Sequence, residues 1–138
     1  MSTAQRDCLS MQDFELSRNV VIDVTTDYLT DQSDPETHRY VFSYHITITN
    51  HNPMPVQLLS RRWLITDGNE KTQEVLGEGV VGEQPTIEPG KSYSYTSGTV
   101  LATEVGAMQG HYDMITDENE TFQATIAPFT LAQTHALH

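Results

Sequence analysis

From residue 19 onward, apolar and polar positions take turns along the chain. Val20, Ile22 and Val24 fall on one side of an extended segment and Asp23 and Thr25 on the other, the period of two that gives a strand one dry face. Residues 39–50 carry the pattern further, with Tyr40, Phe42, Tyr44, Ile46 and Ile48 against Ser43, His45, Thr47 and Thr49. Aromatic and β-branched side chains suit a pleated surface, and the length predicts a strand at the centre of a sheet. A further strand over 56–66 follows the breaker cluster Asn50-His51-Asn52-Pro53 and Pro55. It ends at Asp67-Gly68-Asn69, residues that tolerate the positive φ of tight turns, so a hairpin to 72–76 is expected. After Pro89-Gly90, Tyr93 and Tyr95 alternate with Ser92, Ser94 and Thr96. Met108, Gly110, Tyr112 and Met114 then alternate with Gln109, His111 and Asp113, and Asp117-Glu118-Asn119 turns the chain into Phe122, Ala124 and Ile126. These last two strands are predicted to pair antiparallel.

No segment shows a sustained 3.6-residue period. Seven to eight antiparallel strands with turn signals between them predict an all-β domain of two packed sheets, with a closed barrel as the alternative. The length of 138 residues suits one core. Residues 1–18 read as a flexible N-terminal arm, 19–131 as the β-sandwich domain and 132–138 as a C-terminal tail. No run approaches the roughly 18–20 apolar residues of a membrane span, and the first residues lack the apolar centre of a secretory signal. Membrane insertion is therefore not expected. The lone cysteine, Cys8, allows no intrachain disulfide, which points to a reducing, cytoplasmic setting.

Charge narrows the partners. A formal net charge of -12 repels phosphate backbones, so no nucleic acid is expected. Gly77-Glu78-Gly79-Val80-Val81-Gly82 has the glycine spacing of a dinucleotide-binding loop, yet Glu83, Gln84 and Pro85 follow where that loop needs a helix N-terminus. Glycines here suit a bulge or close backbone packing, and the alternative is an anion-binding nest of their amides. Residues 77–83, with Glu83 included, form the candidate binding loop. Bulky residues at Gly79 and Gly82 are expected to weaken partner recovery without unfolding the domain.

His111 and Asp113, two apart on one strand face, are the candidate metal ligands, although two groups fall short of the three or more that zinc needs. No cofactor is expected, and a divalent cation is the one admissible exception. Arg61 and Arg62 are scarce cations and form the candidate surface; at least one is expected to pair with a carboxylate. Alternation places Arg61 and Trp63 on one face with Leu59 and Ile65, with Trp63 in the core. No nucleophile, base and orienting group fall in a recognisable frame, so no enzymatic activity is expected.

Ser60-Arg61-Arg62-Trp63-Leu64-Ile65-Thr66-Asp67, Gly77 through Pro85, Tyr95-Thr96-Ser97-Gly98 and Met108-Gln109-Gly110-His111-Tyr112 together resemble the bacterial ApaG family, also called CorD. The resemblance spans about residues 18–138. It implies an immunoglobulin-like or fibronectin type III-like sandwich, an association with cobalt and magnesium resistance or efflux, and no established catalytic activity. Similar eukaryotic domains look like protein-recognition modules, which implies a protein partner or self-association, including a homodimer through a sheet edge. The alternative is a small-ligand role, toward a divalent cation or pyrophosphate, and more remotely a phosphohydrolase.

Overall fold

The structure, a computed structural model, describes residues 15–133. Eight strands follow one another: β1 (Val20–Tyr28), β2 (Tyr40–Asn50), β3 (Val56–Asp67), β4 (Thr72–Glu78), β5 (Thr86–Ile87), β6 (Ser92–Leu101), β7 (Val105–Thr116) and β8 (Thr121–Ala132). They form a three-stranded sheet in the order β1-β2-β6 and a five-stranded sheet in the order β4-β3-β7-β8, with β5 also paired to β3. The pairings between these strands are antiparallel. The result is an immunoglobulin-like β-sandwich rather than a closed barrel. No helix among the described residues is long and apolar enough to cross a membrane.

The alternating pattern becomes the core. β2 runs between β1 and β6, so Ile46 lies opposite Val24 on one side and Tyr95 on the other, and Ile48 opposite Ile22 and Tyr93. Phe42, Ile46 and Ile48 are buried from this sheet, and Trp63, Tyr112, Met114, Ile126 and Leu131 from the other. Each such side chain contributes about 1.5–3 kcal/mol relative to leaving it exposed. Asn50, at the end of β2, is also buried. Its side-chain amide donates to the carbonyls of Met54 and Ile87, and its side-chain oxygen accepts from the Asn52 amide. The breaker cluster thus becomes a turn whose polar groups are satisfied.

Two expectations move at the ends of the domain. Residues 1–14 and 134–138 lie outside the described residues, and with them Cys8 and most of the expected arm and tail. Leu16, however, is a core residue, and its carbonyl accepts a hydrogen bond from Asn52 Nδ2 at 3.1 Å. The packed domain therefore reaches upstream of residue 19. At the other end Ala132 still pairs with Val105, and Gln133 is buried.

Strict alternation also breaks inside β3. Leu58 pairs with Met114 but Ser60 pairs with Asp113, which leaves Leu59 as an extra residue in the strand. A bulge of this kind flips the facing of everything beyond it. Val56 and Leu58 are buried before it, and Trp63 and Ile65 after it. Leu59 therefore does not share the face of Arg61 and Trp63, contrary to the simple period of two.

The two long sides of the sandwich differ. Along one, β1 lies against β8. Along the other, β4 and β6 are each hydrogen-bonded to a neighbour on one edge only, so two free strand edges flank an open seam.

Candidate functional site

The glycine-rich segment sits at one end of that seam, where the edge of the larger sheet passes from β4 to β5. The bulge at Leu59 turns its carbonyl to this segment, where it accepts from the Gly79 amide at 2.8 Å and from Gln84 Nε2 at 2.9 Å. Val80 and Glu83 exchange backbone hydrogen bonds of 2.8 and 3.0 Å around Val81 and Gly82, whose φ values are 50° and 80°. Two successive positive φ angles are the signature of a type I′ turn. Val80 is driven into the core as an anchor, and Val81 stands at the tip, 62% exposed.

Gly82, inside this turn, and Gly79, just before it, are not equivalent. Gly79 has φ 63°, and a Cβ there would lie 2.2 Å from the Glu83 carbonyl oxygen, whereas a Cβ on Gly82 would meet nothing within 4 Å. The expectation that both tolerate bulky residues therefore holds no space at Gly79. The amides of Gly79, Val80 and Glu83 are already bonded to protein carbonyls, which leaves fewer open donors than a phosphate nest over residues 79–82 would use.

Arg61 joins the loop to β3. Its guanidinium lies over Gly77, where an added Cβ would come within 2.8 Å of Cζ, and its Nη1 donates to the carbonyls of Glu78 at 3.3 Å and Gly79 at 2.7 Å. Gly77 therefore leaves room for the arginine. Arg62 faces the opposite way and forms the expected carboxylate pair, with Nη2 2.6 Å from Glu74 Oε2 and Nε at 2.8 Å. Both partners are well exposed, so this pair contributes little to stability.

Across the seam, Tyr93 donates to Glu83 Oε2 at 2.8 Å and so ties β6 to the loop. Partial burial, followed by the Glu83 hydrogen bond and charge, raises the pKa of Tyr93 above its ordinary value. Deeper in, the hydroxyls of Tyr95 on β6 and Tyr112 on β7 share a buried hydrogen bond between the two sheets. Burial raises both phenols well above their ordinary pKa of 10.0. Trp63 packs edge-on against Tyr44, Tyr112 and Phe129.

Between these groups the seam opens into a cavity of about 250 Å³ whose lining includes Arg61, Trp63, Gln73, Val75, Ser97 and Thr99. A second depression of about 280 Å³ shares Ile65 and Gln73 with it and continues toward the β3–β4 hairpin past Lys71 and Val100. Three sequence motifs, around Arg61, Gly77 and Ser97, thus converge on one face.

His111 and Asp113 do share a face of β7, with Nε2 3.5 Å from Oδ1. The second carboxylate oxygen of Asp113 accepts from the Ser60 hydroxyl at 2.7 Å. Among the described residues no group of three or more His, Cys, Asp and Glu is placed to hold a metal ion, and the pair alone is fewer ligands than zinc or calcium takes. A cavity of about 540 Å³ lies beside Asp113, Thr121 and Gln123, and among the described residues that line it Asp113 is the one ionisable side chain.

The family model of the ApaG domain matches residues 30–116 of this chain. The chain belongs to the ApaG family. Its relatives include the ApaG protein of Ectopseudomonas mendocina, 57% identical over 117 residues that cover 85% of this chain and 93% of that protein. The ApaG protein of Pseudomonas aeruginosa is 53% identical over 128 residues, covering 93% and 100%. Among solved structures, the X-ray structure of the structural genomics target SoR45 superposes with a TM-score of 0.85 at 50% identity, covering 89% of this chain and 93% of that one. A crystal structure of a Bordetella pertussis protein described as ApaA gives 0.82 at 45%, covering 83% and 94%. The ApaG resemblance read from four motifs thus extends to the whole described fold. Sequence reasoning missed the cavity that joins those motifs. A signal was present in the register: Gly77 falls opposite Arg61, and Val75 opposite Trp63.

Proposed function

We propose that this ApaG-family chain is a non-enzymatic binding module that recognises a protein partner, or a second copy of itself, through the loop tip and the seam between β4 and β6. One observation carries the reading. Val81 is a β-branched residue, 62% exposed, held at φ 50° at the outermost point of the loop. Left-handed backbone costs a residue of this kind about 1–2 kcal/mol, and glycine, asparagine or aspartate would sit there more easily. The paired Val80–Glu83 hydrogen bonds and the buried Val80 hold the turn in this shape, and strain kept at an exposed position supports a contact role for it. The surroundings agree: among the described residues the exposed large hydrophobics include Val81 and, on β6, Val100, while Leu76 on β4 lies opposite Arg62 on the outer face. Two free strand edges beside an apolar knob suit strand addition by a partner.

Under this reading the family's association with cobalt and magnesium resistance or efflux works through a partner, since His111 and Asp113 make only a two-ligand set. The test is the Val81→Asn variant. It is expected to raise the unfolding midpoint slightly, by relief of about 1 kcal/mol of strain, while recovery of partner on the immobilised chain falls at least about tenfold, the equivalent of roughly 1.4 kcal/mol. Sedimentation equilibrium of both forms shows whether the partner is a second copy. Equal recovery by a folded Val81→Asn protein would remove the loop tip from the recognition face.

A further inference from the structure

Arg61 and Trp63 line the same seam cavity, and each leaves hydrogen-bonding capacity unused. Arg61 is half-buried and uses Nη1 on two backbone carbonyls, yet no carboxylate among the described residues pairs with it, whereas Arg62 pairs with Glu74. It is thus a cation without a carboxylate of its own in a chain of formal net charge -12. Trp63 is 2% exposed, and its Nε1 is the buried side-chain nitrogen without a hydrogen-bond partner among the described residues. A native interior rarely leaves such a donor unmet, and an exception calls for an explanation, of which a bound acceptor is one. Arg61 and Trp63 both line the cavity of about 250 Å³, and so does Ser97, a further hydroxyl donor.

A cation with spare N–H groups, an indole donor and a hydroxyl, set between the apolar walls of Val75 and Tyr44, describe the complement of one carboxylate. The fit is not to phosphate, because Arg61 is the single cation on this cavity and a dianion would remain half-neutralised. The volume falls below the roughly 300–1,000 Å³ of pockets for drug-sized ligands, which leaves room for a short acid and not for a nucleotide.

We propose that the cavity between β4 and β6 binds a carboxylate, held by Arg61 with Trp63 Nε1 and the Ser97 hydroxyl. The group comes from a short organic acid or from a Glu or Asp side chain of an extended peptide lying along the free edge of β6; this second source rests on the partner-recognition reading above. Gly77 is part of the device, since it makes the space in which the guanidinium is seated.

The chain contains one tryptophan, so its indole N–H gives a single reporter in a proton–nitrogen spectrum. The full chain is titrated with propionate, with glutarate, and with an acetylated and amidated pentapeptide of Thr and Val around a central Glu, with inorganic phosphate in parallel. The indole signal is expected to move saturably with a carboxylate, together with backbone signals of Ser97 to Thr99 and Gln73 to Val75, and not with phosphate. Arg61→Gln should weaken the response at least about tenfold and Arg62→Gln should leave it intact. Arg61→Lys, which keeps the charge over the loop, should give an intermediate loss and separates lost binding from a disturbed fold. A response to the peptide alone identifies an acidic side chain as the source, and a response to the free acids alone identifies a small acid. No saturable indole shift with any carboxylate up to about 50 mM, or shifts mapping away from the seam, would overturn the site. Val81→Asn, which tests partner recognition, is expected to leave the free-acid titration unchanged, so the two ideas fail separately.

Discussion

Tyr95 and Tyr112 bridge the two sheets through a hydrogen bond in the dry interior. Either hydroxyl alone would be a buried group without a partner, so Tyr95→Phe and Tyr112→Phe should each cost about 1–3 kcal/mol. The double variant should cost less than the sum, and urea unfolding of the cycle measures the coupling. Burial raises both pKa values above the ordinary 10.0, so the folded state favours the neutral phenols. The stability this contributes is complete below about pH 10 and is lost as the pH climbs beyond it. The unfolding midpoint should accordingly be flat near neutrality and fall in alkali, and the double Phe variant should fall less. An equal alkaline loss in both proteins would assign it to other groups. Of this residue-level picture, the sequence displays the inward facing of Tyr95 and Tyr112 through the period of two. It does not display that the two phenols meet, because the contact joins different sheets and depends on how the layers stack.

At the scale of elements, β3 organises the site. Its bulge at Leu59 aims a carbonyl at the glycine loop and sets Arg61, Trp63 and Ile65 on the inner face. Alternation read from sequence found Trp63 in the core and the hairpin after Asp67, since both follow from local patterning. It misplaced Leu59, because a single inserted residue leaves no mark in a polar and apolar pattern this short. The role of the glycines was half legible. Their unsuitability for a dinucleotide loop follows from Pro85 and the absence of a helix, whereas the difference between Gly79 and Gly82 depends on a backbone contact 2.2 Å away. Gly79→Ala should therefore cost about 3 kcal/mol or more, combining positive φ with that clash, and Gly82→Ala only about 1 kcal/mol. Chemical denaturation of the two variants checks the ranking. Similar losses would mean that the loop relaxes freely and does not hold Arg61.

For the molecule as a whole, the asymmetry between its two sides matters most. β1 and β8 pack against each other along one side, whereas the side formed by β4 and β6 is open, with exposed Val81 and Val100 beside it and Arg61 and Trp63 lining its cavity. The all-β architecture was legible because half-buried strands imprint their faces on the sequence. The open seam was not, since edge status is a property of sheet order and not of any one strand. The most direct measurement is amide hydrogen exchange on the chain alone and with its recovered partner bound. Exchange should slow on binding over residues 92–101, 72–78 and 79–83, and stay unchanged on the outer face around His111 and Asp113. Protection confined to that outer face, or to the β1 and β8 side, would contradict the assignment of the open seam as the place where this protein binds.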